Sequence, residues 1–279
     1  MKLSLMSYTL GTLVRSGEMS LADVLTFTKD NGFAATELSM ANFDLVPPQG
    51  MSGLLRDLEL DVSCINGSAD LAIADDDGFQ KSVQAGCHMV DTAVQVGSPM
   101  IMIVAASVAS VAGTADKARA AARIAQGLRQ IVAYARDKGI IVTIEDFPRT
   151  ELPLSSIQEM KFLMEAVPGL KLTFDNGNFL PGGDDNLEAY QALWPYVANV
   201  HIKDWAYAPE GEGHLCANGR RIRGGLHGQG ILDHVKLFKA MKEKKYDGYL
   251  AFEYEGSMNH AEATRIGVSY LRGVLDALD

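Results

Sequence analysis

Cysteine is scarce: Cys64, Cys87 and Cys216 are the only ones in 279 residues. Three scattered thiols cannot build a disulfide framework, so the expected state is reduced thiols in a cytoplasmic protein. Positive charge is also short. Lys and Arg number 25 against 35 Asp and Glu, a formal net charge of −10. Proteins that neutralise a phosphate backbone need a basic face, and this balance argues against a nucleic-acid partner. Long apolar runs are missing as well. The longest, Pro99 to Ala106, falls far short of the ~20 residues of a membrane-spanning helix. The opening MKLSLMSYTL lacks the charged start and long apolar run of a secretory signal. The expectation is a soluble, intracellular, globular protein with no membrane partner.

The hydrophobic share, 47%, suffices for one large core. A short apolar strand followed by a longer amphipathic stretch recurs along the chain. The spacing predicts strands at Leu3–Tyr8, Ala35–Met40, Val62–Asn66, Met100–Val104, Ile140–Glu145, Leu170–Asp175, Val200–Lys203 and Tyr249–Glu255. It predicts helices at Leu21–Asp30, Gly53–Leu58, Phe79–Val96, Ala115–Lys138, Ser155–Ala166, Asn186–Tyr196, Leu232–Lys244 and Ala261–Leu278. Asn31-Gly32, Gly97-Ser98-Pro99, Lys138-Gly139 and Pro168-Gly169 stop helices just before strands. Thr114 and Ser155 stand where N-caps belong. Alternating strands and helices imply parallel strands joined by right-handed crossovers. Eight such units predict an α/β fold, a single (β/α)8 TIM barrel domain spanning residues 1–279. The alternative, an open doubly wound sheet, usually carries a Gly-rich turn after its first strand. Here that strand runs into Ser7-Tyr8-Thr9-Leu10-Gly11, which is not such a turn. One long connection, Ala206 to Gly230, follows the seventh strand and holds Arg220, Arg221 and Arg223 among many glycines. In a barrel it would cover the mouth, and a loop beyond ~15 residues in a compact domain usually has a function or is disordered.

The last four predicted strands read IIVTIED, LKLTFDN, NVHIKD and YLAFEYE. Side chains alternate faces along a strand. Placing Glu145, Asp175, His201 and Glu253 inside also places Thr143, Thr173, Asn199 and Ala251 inside. The outer set is then Val142, Ile144, Leu172, Phe174, Val200, Ile202, Leu250 and Phe252, all apolar as helix-facing positions should be. The opposite parity would bury four polar groups under the helices at high cost. Each of the four also lies near the C-terminal end of its strand, the face where such barrels place active sites. Carboxylates converging there repel and need a counter-charge. Three oxygen donors and one imidazole suit one divalent ion, Mn2+ favoured, or Mg2+, Co2+ or Zn2+. Taken singly, each residue could instead be a salt-bridged carboxylate or a satisfied core histidine.

These segments carry a resemblance. VTIEDFP at 142–148, LTFDNGNF at 172–179, VHIKDW at 200–205, GQGILD at 228–233 and YLAFEYEG at 249–256 resemble the xylose isomerase-like barrels, the sugar phosphate isomerases and epimerases, over essentially the whole chain. The resemblance implies that Glu145, Asp175, His201 and Glu253 hold the metal, and that Glu145 and Glu253 also act as the acid–base pair. One position departs from it: several members carry a histidine where this chain has Asn178, which weakens any kinship with the ketose 3-epimerases and with endonuclease IV. Relatives are often dimers or tetramers, so a homo-oligomer is in keeping with the resemblance.

Other residues frame that site. Glu37 shares the inward parity of the second strand and is read as a pocket wall or a partner of the ligands. Lys203 is placed to anchor a substrate oxygen or to neutralise the cluster, and Glu255 has the same parity. Trp205 could stack on a sugar face. In the long loop, Arg223 and His227 are candidate substrate contacts, and the GQG turn could form a backbone nest for an anion. Asp204 either orients His201 or begins the loop. The implied reaction is isomerisation or epimerisation of a sugar, sugar phosphate or keto-sugar, by proton transfer through an enediolate between Glu145 and Glu253. Two alternatives remain. One is a metal-dependent dehydratase or lyase of a keto-sugar or inosose on the same residues. The other is a non-catalytic sugar-binding barrel.

Overall fold

The structure, a computed structural model, describes residues 1–112 and 116–278. Its barrel strands are β1 (Lys2–Met6), β2 (Ala35–Ser39), β3 (Asp61–Ser68), β4 (Met100–Val104), β5 (Ile141–Glu145), β6 (Lys171–Asp175) and β7 (Val197–Ile202). Three short strands follow in one loop, β8 (Trp205–Tyr207), β9 (His214–Leu215) and β10 (Arg221–Gly224), before the closing strand β11 (Tyr249–Phe252). The barrel order is β1-β11-β7-β6-β5-β4-β3-β2. The ring closes where β1 and β11 pair in parallel, Lys2 beside Tyr249.

A substantial helix follows each barrel strand: Leu21–Asp30, Pro48–Asp57, Asp76–Val96, Lys117–Arg136, Ile157–Ala166, Asn186–Leu193, His234–Glu243 and His260–Asp276. Side-chain caps set their starts. Ser20 and Asp23 form a reciprocal capping box, and Asp75, Asp116, Asp185 and Asn259 accept first-turn amides. The cap expected at Ser155 sits one residue later, at Ser156. Ser155 instead donates its amide to Glu159 Oε2 at 2.8 Å. Thr114 and Ala115 lie outside the described residues, and the helix behind them opens at Lys117 after Asp116. The pattern read at Gly53–Leu58 is the end of a longer helix that Pro48 opens in its first turn. Gly97, at φ +75°, turns the chain out of the Asp76–Val96 helix.

The barrel separates two interiors. Leu172, Phe174, Val200, Ile202, Leu250 and Phe252 point outward, fully buried in the main core between strands and helices. Burying one such side chain contributes roughly 1.5–3 kcal/mol, and a one-residue slip would forfeit the whole set. Inside the barrel, Cys64, Met100 and Met102 form a separate small cluster. Beside them the Thr143 and Thr173 hydroxyls meet at 2.7 Å, the inward parity expected of both strands.

The long connection is not irregular. Its strands form an antiparallel sheet in the order β8-β10-β9, with Trp205, Cys216 and Ile222 as a small core beneath. This flap lies against the end of β11. A Cβ added at Gly224 would stand 2.4 Å from the Glu255 carbonyl carbon. No helix among the described residues is long and apolar enough to cross a membrane.

Candidate metal centre

Glu145 ends β5, Asp175 ends β6, His201 lies in β7 and Glu253 follows β11. Asp175 pairs with His201, and His201 with Ala251, in adjoining strands. This stagger brings one ligand atom from each of the four residues to within 4.8 Å of the others. Asp175 and His201 are fully buried and Glu253 nearly so, while Glu145 is partly open to solvent.

Each side chain is held from behind. Asp175 Oδ1 accepts the amides of Gly177 (2.7 Å) and Asn178 (2.9 Å), which turns Oδ2 toward the cluster. Oδ2 and Glu253 Oε2 are buried and make no hydrogen bond. Lys203 Nζ stands 3.2 Å from the first and 3.1 Å from the second, as ion pairs without hydrogen-bond alignment. His201 Nδ1 meets Glu145 Oε1 at 2.6 Å and lies 3.9 Å from Glu253 Oε2. Its Nε2 meets Glu37 Oε1 at 3.0 Å.

Burial is the largest influence on Asp175, Glu253, His201 and Lys203, and the neighbouring charges modify it. Burial pushes Asp175 up to about 6, against the pull of Lys203 and with the push of Glu145. Burial pushes Glu253 up to about 8, again against Lys203, with Glu255 and Asp175 adding to the rise. Burial opposes a charged His201, but Glu37 and Glu145 hold its pKa well above the usual range. Burial likewise opposes Lys203, yet Asp175, Glu253 and Glu255 hold it high. The donor set, three carboxylates and an imidazole, fits a divalent cation of the Mn2+ or Zn2+ kind. Two buried carboxylate oxygens without a hydrogen bond are what such an ion would satisfy.

The remaining expected residues are placed differently from one another. Lys203 is at the centre, with Glu255 Oε2 3.4 Å from its Nζ. Glu255 also faces a cavity of about 450 Å3 beside the cluster, whose lining includes Tyr8, Arg15, Trp205, His214 and Arg223. Trp205 is almost fully buried and its indole N–H donates to the Gly177 carbonyl at 2.9 Å, so it offers the cavity an edge of the ring and little more. Arg223 is exposed and pairs with Glu212 at 3.1 Å.

Glu37 and His227 do not face that cavity. Glu37 lies behind His201, its oxygens taken by His201, Asn66 and Asn199. His227 is buried on the outer face of β11, its Nε2 donating to the Ile202 carbonyl at 2.9 Å and its ring stacked on Phe252 at 4.1 Å. A substrate contact from either place would require the core to open. The expected anion nest is filled from within. The Gly228, Gly230 and Leu232 amides donate to the Asp204 carboxylate at 3.0, 3.1 and 3.2 Å.

Three participants escaped the sequence reading. Asn66 shares the inward parity of its strand, which a parity reading of VSCIN could have caught. Tyr8, whose hydroxyl lies 3.4 Å from Glu255 Oε1, stands beyond the end of its strand and carries no periodic signal. Asp146 has both carboxylate oxygens buried and unpartnered. Burial, reinforced by Asp175 and Glu145, pushes its pKa well above the ordinary value.

The comparisons agree with this architecture. The family model for the xylose isomerase-like TIM barrel matches residues 25–274. Inosose dehydratase of Clostridium perfringens is 27% identical over 139 residues, 47% of this chain and 46% of that protein, so the match spans about half the length of this relative. Among solved structures, the probable 3-DHS dehydratase AsbF of Bacillus anthracis superposes with a TM-score of 0.77 at 18% identity, covering 98% of this chain and 99% of that one. D-Allulose 3-epimerase of Methylomonas sp. gives 0.73 at 15% identity, covering 98% of each. At these identities the structures speak for the fold alone. The chain belongs to the xylose isomerase-like TIM barrel family.

Proposed function

We propose that the protein is a divalent-metal-dependent enzyme that isomerises or epimerises a small carbohydrate by moving a proton between Glu145 and Glu253. The observation that carries this reading is the convergence of Glu145, Asp175, His201 and Glu253 within 4.8 Å, with hydrogen-bond capacity left open at the centre. These four would hold the ion, Mn2+ favoured. When bound, it supplies polarisation of a substrate carbonyl, which acidifies the neighbouring C–H.

The chain's own residues do the rest. Glu145 ends β5 and Glu253 follows β11, two strands separated by β6 and β7 in the barrel wall, and so approach the substrate from two sides. One carboxylate removes the C–H proton and the other returns a proton to the opposite face. Asp175 is fixed by two backbone amides and acts as a ligand only. Lys203 balances the charge of the cluster and lies within reach of a substrate oxygen.

A second reading, dehydration of a keto-sugar or inosose, is favoured by the Lys203–Glu255 pair on the cavity side and by the similarity to inosose dehydratase. There the same proton removal is followed by departure of a neighbouring hydroxyl, protonated from the enzyme and released as water.

The test is exchange of substrate hydrogen for deuterium in D2O with Mn2+, across ketoses, inososes and 3-keto-glycosides. Exchange with retained carbon skeleton is expected for epimerisation, and exchange followed by loss of water for dehydration. Glu145→Gln or Glu253→Gln should slow exchange roughly 10²–10⁴-fold while part of the metal affinity survives. Near-normal exchange in either variant rejects the assignment.

A further inference from the structure

Glu37 closes off the far edge of His201. Its Oε1 lies 3.0 Å from His201 Nε2 and accepts from Asn66 Nδ2 at 3.0 Å, while its Oε2 accepts from Asn199 Nδ2 at 3.0 Å. Glu37 and His201 have no exposed surface, and Asn199 and Asn66 have almost none. Three strands contribute: β2 carries Glu37, β3 carries Asn66, and β7 carries Asn199 two residues before His201. An ionised carboxylate only accepts hydrogen bonds, so each ring nitrogen can offer an N–H to the carboxylate it faces; Glu145 and Glu253 belong to the converging ligand atoms and Glu37 does not, which leaves Nε2 as the nitrogen that keeps its proton when an ion is held. The other nitrogen, Nδ1, points at Glu145 and Glu253.

We propose that Glu37 is a positioning residue for the metal centre: by holding the Nε2–H of His201 it fixes the plane and tautomer of the ring, so that Nδ1 turns its lone pair to the cation. The inference rests on the metal reading of the four-residue cluster. An anionic acceptor behind a ligating imidazole also makes that imidazole a stronger donor. The two asparagine amides tie down both oxygens of Glu37, one on each, which holds its carboxylate away from the cation. Glu37 is in keeping with this outside the group of converging ligand atoms.

Two measurements on the full chain test the assignment. In wild-type protein with 15N-labelled histidine and bound 113Cd2+, the metal coupling should fall on His201 Nδ1, and Nε2 should carry a slowly exchanging proton. His201→Gln identifies the signals. Calorimetric titration with Mn2+ should show Glu37→Gln binding roughly 10–100-fold more weakly than wild type. Mn2+ affinity within twofold of wild type overturns the proposal, even if the unfolding temperature in EDTA falls, because that pattern marks a structural role alone. If Glu37→Gln does not fold, the wild-type spectrum decides. Coupling at Nε2, or an Nε2 without a proton, overturns the role of Glu37. A wild-type protein that binds neither ion overturns the metal reading itself. Metal binding by wild type with an unaffected Glu37→Gln overturns only the inference made here.

Discussion

The ammonium of Lys203 sits 3.1 Å from Glu253 Oε2, inside the carboxylate ring rather than at its rim. The same nitrogen reaches Asp175 Oδ2 at 3.2 Å and Glu255 Oε2 at 3.4 Å. Without a metal ion, this one lysine and the His201 ring carry the positive charge that keeps the cluster together. Lys203→Met leaves these carboxylates without their shared cation, and breaking a buried pair costs roughly 3–5 kcal/mol. Urea unfolding should show that loss in EDTA and a much smaller one in excess Mn2+, because the ion replaces the missing charge. Equal losses in the two conditions would separate the lysine from the metal centre.

Asp204 ties down both ends of the flap. Besides the amides of Gly228, Gly230 and Leu232, it accepts its neighbour's, from Trp205, at 2.9 Å. A side chain at Gly230 would stand 2.1 Å from Asp204 Oδ1, so only glycine lets the loop close so tightly on the carboxylate. Asp204→Ala strands several amides in a partly buried setting, at a cost of roughly 1–3 kcal/mol for the first. Limited proteolysis should then cut between Ala206 and Gly230 faster than in wild type, with the barrel intact. Unchanged cleavage would mean that the flap's own strands hold it down.

At Gly224 the flap meets backbone rather than side chains. An added Cβ would be 2.4 Å from the Glu255 carbonyl carbon and 2.6 Å from the Gly256 nitrogen, and neither can rotate away. Gly224→Ala should lift the flap at a cost of roughly 1–3 kcal/mol. Trp205, nearly without exposed surface, should then emit at longer wavelength, against the steady background of the half-exposed Trp194. A spectrum identical to wild type would show that the strain relaxes elsewhere.

The barrel and the convergence of the four side chains were legible because both depend on strong periodic signals. Leu172 with Phe174, and Leu250 with Phe252, leave one parity open for each strand, and that parity alone sends Asp175 and Glu253 inward. The flap strands were not legible. β9 has only His214 and Leu215, too short for any alternation, and the glycines around it mask pairing that depends on register with β10. The error at His227 has a different origin. A histidine in a glycine-rich loop near the mouth looks available from sequence, but its position is decided by the Phe252 ring and the Ile202 carbonyl, contacts far away along the chain. For Glu37, parity placed the carboxylate correctly on the inner face. What parity could not supply was the distance to His201, which spans the barrel interior from β2 to β7, strands separated in the wall by β1 and β11.

His227 also predicts a pH dependence. Burial, against the hydrogen bond to Ile202, lowers its pKa to about 3. His234, with its ring 5.8 Å away, and Lys203 add to the lowering. An unfolded chain would protonate this ring near pH 6.5. Between those two values the unfolded state binds a proton that the native state refuses, so stability falls as the solution is acidified from about pH 6.5 toward 3. From pH 7 to pH 5 the contribution is about 2 kcal/mol of lost stability. His227→Gln can keep a donor for the Ile202 carbonyl but does not titrate. The raised carboxylates Asp175 and Glu253 act in the opposite sense, since their native forms bind protons more tightly than the unfolded chain does, and stability from them falls as pH rises. They are common to both proteins and cancel in the comparison. Urea unfolding of wild type and His227→Gln at the two pH values should therefore show wild type losing about 2 kcal/mol more on acidification. Parallel losses would mean that the buried ring accepts a proton in the folded protein, and that the layer between β11 and its flanking helices is open to water.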